Sequence, residues 1–303
     1  MEKNFIKNYK TPRANRNEMR KPVKSSCSFL NDIQLLQESI TKSQDGKITA
    51  EYIADVMLNR WSEKTFRNVE NLILKKAIKE GYFEEYQLQL VKIFDDRMEF
   101  PENINNTTTI TYIIWNIFNM KEHFDRVKSH RYWILESYER LKSFLSPELD
   151  YDIIVRHDLS KYAFSQAIGY TLRWVWAVDP DNPLWVAARD LHLFNEPHHP
   201  QLWCVSPNEK RNRINFWLTP RRGEAREDEK FINHDFTKHR EMPTPFLHES
   251  FIDIVACEWE RKKTGNKLLS NKDLVSLSGN FITRYNNEQR VKIDELIKNI
   301  SVS

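Results

Sequence analysis

The stretch Ser146-Pro147-Glu148-Leu149-Asp150-Tyr151-Asp152-Ile153-Ile154-Val155-Arg156-His157-Asp158-Leu159-Ser160-Lys161 decides how this chain is read. It opens like a helix, with a serine able to cap, a proline suited to the first turn and a glutamate near the positive end of the dipole. Leu149, Ile153, Ile154 and His157 then fall on one face, which predicts an amphipathic helix whose buried side ends in a histidine. Adjacent residues in a helix point about 100° apart. On that spacing His157 and Asp158 would bracket a metal ion at the helix edge. Lys161, one turn beyond His157, would overhang the same face and meet an anionic group of a substrate. Neutral imidazole and carboxylate together suit Zn, Mn or Fe. Taken alone, one His-Asp pair is as consistent with chance as with a site.

Helical periodicity continues on both sides. Upstream, a pattern over roughly 108–145 carries the stripe Val127, His130, Ile134, Leu141. Downstream, a helix is expected over about 163–178, before the loop Asp179-Pro180-Asp181-Asn182-Pro183. Asn182-Pro183 should start another helix through Trp185, Ala188, His192 and Asn195, stopped by Pro197. Residues 206–243 are charged and irregular, Thr244-Pro245 opens a helix to about 262, and an amphipathic helix covers about 285–299. Nearer the N-terminus, Ala50–Trp61 is helical in period, and Val69, Leu72, Ile73, Ala77 and Ile78 form a second pattern ending near Gly81. Pro101 and the Asn-rich stretch Asn103–Asn106 mark the best boundary. The expected fold class is all-α. Residues 1–28 read as a disordered basic tail, 29–105 as an accessory helical region and 106–303 as the main helical domain.

Bulk properties narrow the function. The chain has 303 residues, 40% hydrophobic, with nine tryptophans, enough for one sizeable core. Residues 1–24 hold eight Lys/Arg against two acids, a net +6, whereas the whole chain totals +3 and the rest therefore sums to −3. A near-neutral body argues against a nucleic-acid partner. Residues 1–105 are left as the region through which a partner protein would bind. Cys27, Cys204 and Cys257 lie far apart with no CxxC pair, which excludes a disulfide framework and fits a reducing compartment. Without an 18-residue apolar run or a secretory leader, the expectation is a soluble, cytoplasmic protein with no membrane partner. Six glycines, none in a phosphate-cradling arrangement, argue against Rossmann and P-loop chemistry.

Two further groups strengthen the His157-Asp158 signal. His192, Asn195, His198 and His199 form an HxxNxxHH cluster whose backbone Pro197 and Pro200 constrain. Glu249 and Asp253 stand at i and i+4 on a helix face that also shows Phe246 and Cys257. An acid on an apolar face needs a partner; a metal ion and an arginine both qualify. His130 lies on the Val127–Ile134–Leu141 face, with His123 a competitor two turns earlier. A second copy of the pattern, His234-Asp235-Phe236-Thr237-Lys238, lies among charged residues before Pro243 and Pro245 and reads as coincidence.

This order of residues resembles the HD-domain superfamily, whose core runs His … His-Asp … His … His … Asp across a helical bundle. Here it reads His130, His157-Asp158, His192, His198 or His199, then Asp253. His157-Asp-Leu-Ser-Lys-Tyr162 with His192-x-x-Asn195-x-x-His198-His199-x-x-x-Trp203 is more closely similar to an uncharacterised family of small HD-like phage and bacterial proteins, with Glu249 or Asp253 as its later acid. The resemblance covers roughly 110–300. It implies an HD-like bundle binding one or two divalent ions (Mn, Fe, Zn, Co or Mg) through His130, His157, Asp158, His192, His199 and Asp253. It further implies hydrolysis of a small phosphorylated substrate by metal-activated water. Lys161, with Arg131 or Arg173, would neutralise phosphate oxygens, and Asn195 and His198 would assist, His198 as proton donor unless it exchanges roles with His199. Trp133, Trp174, Trp176 and Trp203 could wall a pocket, although a core role is the more economical reading. Two rivals stand beside hydrolysis: a di-iron oxygenase of the same superfamily, and a non-catalytic helical scaffold with a decayed site.

Overall fold

The computed structural model describes residues 45–83, 107–194, 196–204, 241–262 and 285–302. Among them the regular structure is helical throughout and no strand occurs, so the fold is all-α. In chain order the helices are α1 Gly46–Asp55, α2 Glu63–Lys79, α3 Thr107–Tyr112, α4 Met120–Leu141, α5 Tyr151–Arg156, α6 Phe164–Trp174, α7 Pro183–Leu193, α8 Pro200–Cys204, α9 Thr244–Lys262 and α10 Asn287–Val302. The expected basic tail, parts of the accessory region, Asn195 and the second His-Asp copy at 234–235 lie outside the described residues. No helix among those described is long and apolar enough to cross a membrane.

Three boundaries differ from the sequence expectation, each for a local reason. The single helix expected over 108–145 is two. After α3 the chain widens into a π-helical turn, Ile113–Ile117, closed by Phe118 N–H donating to Ile113 O at 2.7 Å. Asn119 then takes a left-handed conformation, φ 57°, which asparagine tolerates better than most residues. Its side chain donates to Glu122 Oε2 at 3.0 Å as α4 begins. Secondly, Ser146 does not cap α5; it closes a preceding turn, accepting from Leu149 N–H at 3.0 Å. The cap is Asp150, whose Oδ1 accepts from Ile153 N–H at 3.0 Å, directly before the apolar run. Thirdly, α5 ends at Arg156, so His157 and Asp158 are not helical neighbours.

The described residues divide into two compact units. The first holds 45–83, 107–126 and 160–191. Its interior is aromatic: Tyr82 meets Trp115, Phe124 and Tyr162 at ring distances of 5.7, 5.5 and 6.4 Å, and Phe66 meets Phe164 at 5.0 Å. The Tyr82 hydroxyl donates to Asp125 Oδ1 at 2.6 Å, so this buried ring keeps its polar end satisfied. Gly169 on α6 allows close approach of α7: a Cβ there would stand 2.4 Å from Ala188 Cβ and 2.6 Å from Leu184 O.

The second unit holds 127–159, 192–194, 196–204, 241–262 and 285–302. Its core gathers Ile134 and Leu141 of α4, Ile154 of α5, Phe251, Ile252, Val255 and Trp259 of α9, and Ile293, Leu296, Ile297 and Ile300 of α10. Burying each of these aliphatic side chains contributes about 1.5–3 kcal/mol before chain entropy is set against it. The stripe seen in the sequence is buried as expected, with Val127, His130, Ile134 and Leu141 all inside. Trp133 packs edge-on against Trp259 and Trp203 stacks on Phe246, so these two tryptophans serve as core. In the first unit the Trp176 indole donates to Phe118 O at 2.7 Å, and Trp174 is half-exposed.

Candidate metal centre

Arg131, buried on α4, builds the local backbone of the site. Its Nη2 donates to Val155 O at 2.7 Å and its Nη1 to His157 O, satisfying carbonyls that the end of α5 leaves bare. The guanidinium reserved by sequence reasoning for phosphate thus holds the chain that carries His157. Arg173 is similarly committed, donating to Val178 O at 3.0 Å within the first unit.

Beyond Arg156 the chain turns sharply. His157 is extended at ψ 128°, and Asp158 is left-handed at φ 59°. A left-handed conformation costs an L-residue roughly 1–2 kcal/mol. The turn places the fully buried Asp158 carboxylate among imidazoles of the second unit. Oδ1 lies 3.2 Å from His192 Nε2 and 3.8 Å from His198 Nε2. Oδ2 lies 3.5 Å from His130 Nε2 and 3.6 Å from His157 Nε2. One carboxylate therefore faces two pairs of ring nitrogens, one pair with each oxygen.

Helix α9 supplies two acids with different stations. Glu249 Oε1 stands 2.9 Å from His157 Nδ1 and 3.4 Å from His198 Nδ1. Asp253 Oδ1, one turn later, stands 3.2 Å from His130 Nε2 and 3.9 Å from His157 Nε2. Glu249 thus fixes rings from behind while Asp253 joins the Nε2 atoms in front. Sequence spacing left these two acids interchangeable; the ring nitrogen each one faces separates them. Glu260, not foreseen from sequence, faces His130 Nδ1 at 3.4 Å. It follows Asp253 by seven residues on the same helix face, a spacing the sequence displayed.

Electrostatics follow from this packing. Burial pushes the His157 imidazole below its usual value, and the neighbouring His198 pushes the same way. Burial would also lower His130, but its bonds to Asp253, Cys257 and Glu260 hold it well above the usual value. His198 is raised against its own burial by Glu249. Burial opposes ionisation of Glu249 and Asp253, yet His198 holds the first below the usual carboxylate range and His130 holds the second well below it. Buried carboxylates here depend on positive charge supplied from close by, which a divalent cation supplies equally well.

The donor set fits such a cation on two further observations. His157 Nε2 is buried and has no hydrogen-bond partner among the described residues, although its Nδ1 is fixed by Glu249. A ring held at one nitrogen and bare at the other is the usual state of a metal-binding imidazole. Secondly, ligand atoms about 2.0–2.2 Å from one ion at tetrahedral angles stand about 3.3–3.6 Å apart. The separations of 3.2, 3.5 and 3.6 Å around Asp158 lie at or near that window. Ligand atoms converge within 4.8 Å of one another in the sets His130–His157–Asp158, His157–His198–Asp253 and His192–His198–His199. His130, His157, Asp158, His192, His198, His199 and Asp253 are thereby brought together, with both members of the His198–His199 pair included.

Other expected residues are not among these sets. Lys161 belongs to the first unit, in the 3-10 turn Leu159–Tyr162, with its Nζ 5.5 Å from the centre of the Tyr170 ring. The helical spacing that would have set it over His157 is interrupted at Asp158. His123, also of the first unit, places Nε2 3.0 Å from Lys161 O and stacks on Tyr170 at 5.6 Å. Asn195 lies outside the described residues.

No curated protein and no solved structure matches the chain. A family model does match, over residues 119–299, a span that contains every residue of the cluster; the chain belongs to the family of unknown function DUF5662.

Proposed function

We propose that the protein is a metal-dependent hydrolase of a small phosphoester, in which His130, His157, Asp158, His192, His199 and Asp253 would hold one or two divalent ions. The observation that carries this reading is the opposed pair of contacts, Oδ1 toward His192 and His198, Oδ2 toward His130 and His157. When bound, divalent ions lower the pKa of coordinated water toward neutrality and neutralise phosphate oxygens. The residues of this chain supply position and proton traffic. Glu249 keeps His157 oriented through its Nδ1 atom, leaving Nε2 forward, and sets its charge beside Nδ1 of His198. Asp253 contributes a second anion on the His130 side. His198 and His199, adjacent and both buried, include one donor to a metal and one candidate to hand a proton to the departing alkoxide.

A panel of nucleotides and generic phosphoesters, each with Mn, Co, Mg or Fe, tests the reading. Turnover should fall on the order of 10³-fold in Asp158→Ala, the several kcal/mol that metal stabilisation contributes. Protein purified without chelator that contains no metal, and gains none when ions are offered, overturns the proposal. Iron occupancy with an oxygen-dependent colour change and no phosphoester turnover would replace hydrolysis by oxygenase chemistry.

A further inference from the structure

Helix α9 carries one more potential donor beside Asp253. Cys257 follows it by one turn, is partly buried, and directs Sγ to 3.7 Å from Asp253 Oδ1. The His130 ring lies close to the same sulfur. The ligand atoms of His130, Asp253 and Cys257 all lie within 4.8 Å of one another. An aspartate at hydrogen-bond range of a thiol gains little, since S–H is a weak donor.

The distances carry more information than the bond. An ion bound to sulfur at about 2.3 Å and to carboxylate oxygen at about 2.0 Å, at a tetrahedral angle, holds those atoms about 3.5 Å apart. Sγ and Oδ1 stand at 3.7 Å, and Oδ1 and His130 Nε2 at 3.2 Å. A separate observation points to a ligand in the same place. His157 Nε2, buried and without a hydrogen-bond partner among the described residues, faces this group, 3.9 Å from Asp253 Oδ1.

We infer that Cys257 Sγ donates, with His130 Nε2 and Asp253 Oδ1, to the ion on the Asp253 side of the cluster, making that position selective for a thiophilic divalent cation. This rests on the reading of the cluster as a metal centre. Binding replaces the S–H bond with a sulfur–metal bond and releases the thiol proton to solvent. Thiolate ligation favours Zn²⁺, Co²⁺ or Fe²⁺ over Mg²⁺, which prefers oxygen donors. The cluster would then be chemically uneven. The His192–His198–His199 side is all imidazole, and the Asp253 side mixes nitrogen, oxygen and sulfur.

Cobalt spectroscopy on the full-length metal-free chain tests this. Added Co²⁺ should give visible d–d bands together with a near-ultraviolet sulfur-to-cobalt charge-transfer band. Cys257→Ser should abolish the charge-transfer band, keep the visible bands and weaken Zn²⁺ binding by about tenfold or more, at least the effect of losing an outer partner. Visible bands without charge transfer in the unaltered protein overturn the inference while leaving the metal centre standing. So does a charge-transfer band that survives Cys257→Ser. No cobalt spectrum of any kind overturns both. A second measurement avoids substitution altogether: Zn²⁺ should protect Cys257 from iodoacetamide, followed by peptide mass spectrometry. Equal labelling with and without Zn²⁺ overturns the inference.

Discussion

His123 and His130 sit seven residues apart on α4, both buried, yet they do different work. His123 meets a backbone carbonyl and a tyrosine ring. His130 meets three carboxylates, Asp158, Asp253 and Glu260, and a thiol. Burial and helical position are nearly the same for both rings. The difference lies in what the neighbouring segments present, so a buried histidine becomes a site only through the charges gathered around it.

Matched substitutions break or confirm that contrast most strongly. His130→Phe should remove one bound metal equivalent and, with metal absent, cost about 3–5 kcal/mol, since it leaves buried carboxylates without their partner. His123→Phe should keep full metal content and cost only about 1–3 kcal/mol, the penalty for an unsatisfied buried carbonyl. Elemental analysis beside urea denaturation reads both quantities. Equal metal loss in the two variants would erase the distinction.

A smaller effect sharpens the contrast within a single ring. Glu249→Gln leaves the shape behind His157 and His198 but removes the charge that orients them. Metal affinity should fall about 10–100-fold, with the number of sites unchanged, in competition against a chelator. A change in stoichiometry instead would make Glu249 a direct ligand.

The smallest effect concerns a third kind of buried histidine. His248 Nδ1 accepts from Ser146 N–H at 2.7 Å, and burial together with Lys292 holds the ring below its ordinary pKa of 6.5. Its contribution to stability is therefore complete above about pH 6.5 and is lost as pH falls toward the lower, folded value. His248→Asn can offer Oδ1 where Nδ1 stood without titrating. The difference in unfolding free energy between this variant and the parent should shift in the variant's favour below about pH 6.5, by at most about 1.4 kcal/mol per pH unit. A gap that stays constant from pH 7.5 to 5 would refute the assignment.

Most of the candidate cluster was legible in the sequence because helical periodicity is regular. The stripe Val127–His130–Ile134–Leu141 announced a buried imidazole, and the His198-His199 pair between two prolines announced a fixed turn. The Glu249–Asp253 spacing put both acids on one face. What stayed hidden depends on departures from regularity. No periodic pattern reveals that α5 stops at Arg156, because the stop is made by Arg131, some 25 residues away in sequence. Which acid faces Nε2 and which faces Nδ1 is set by ring orientation, a property of packing. Lys161 was placed by extrapolating a helix that Asp158 interrupts.

That interruption has a consequence for design and for sequence tolerance at position 158. Glycine would adopt the local handedness without steric cost, and asparagine would mimic the outline without the charge. Neither restores an anion, while glutamate restores one on a stem a methylene longer. Asp158→Gly should thus relax the backbone at the turn while leaving His130, His157, His192 and His198 without the carboxylate they face, so that metal binding is lost. Backbone geometry by itself gives no reason to prefer aspartate there.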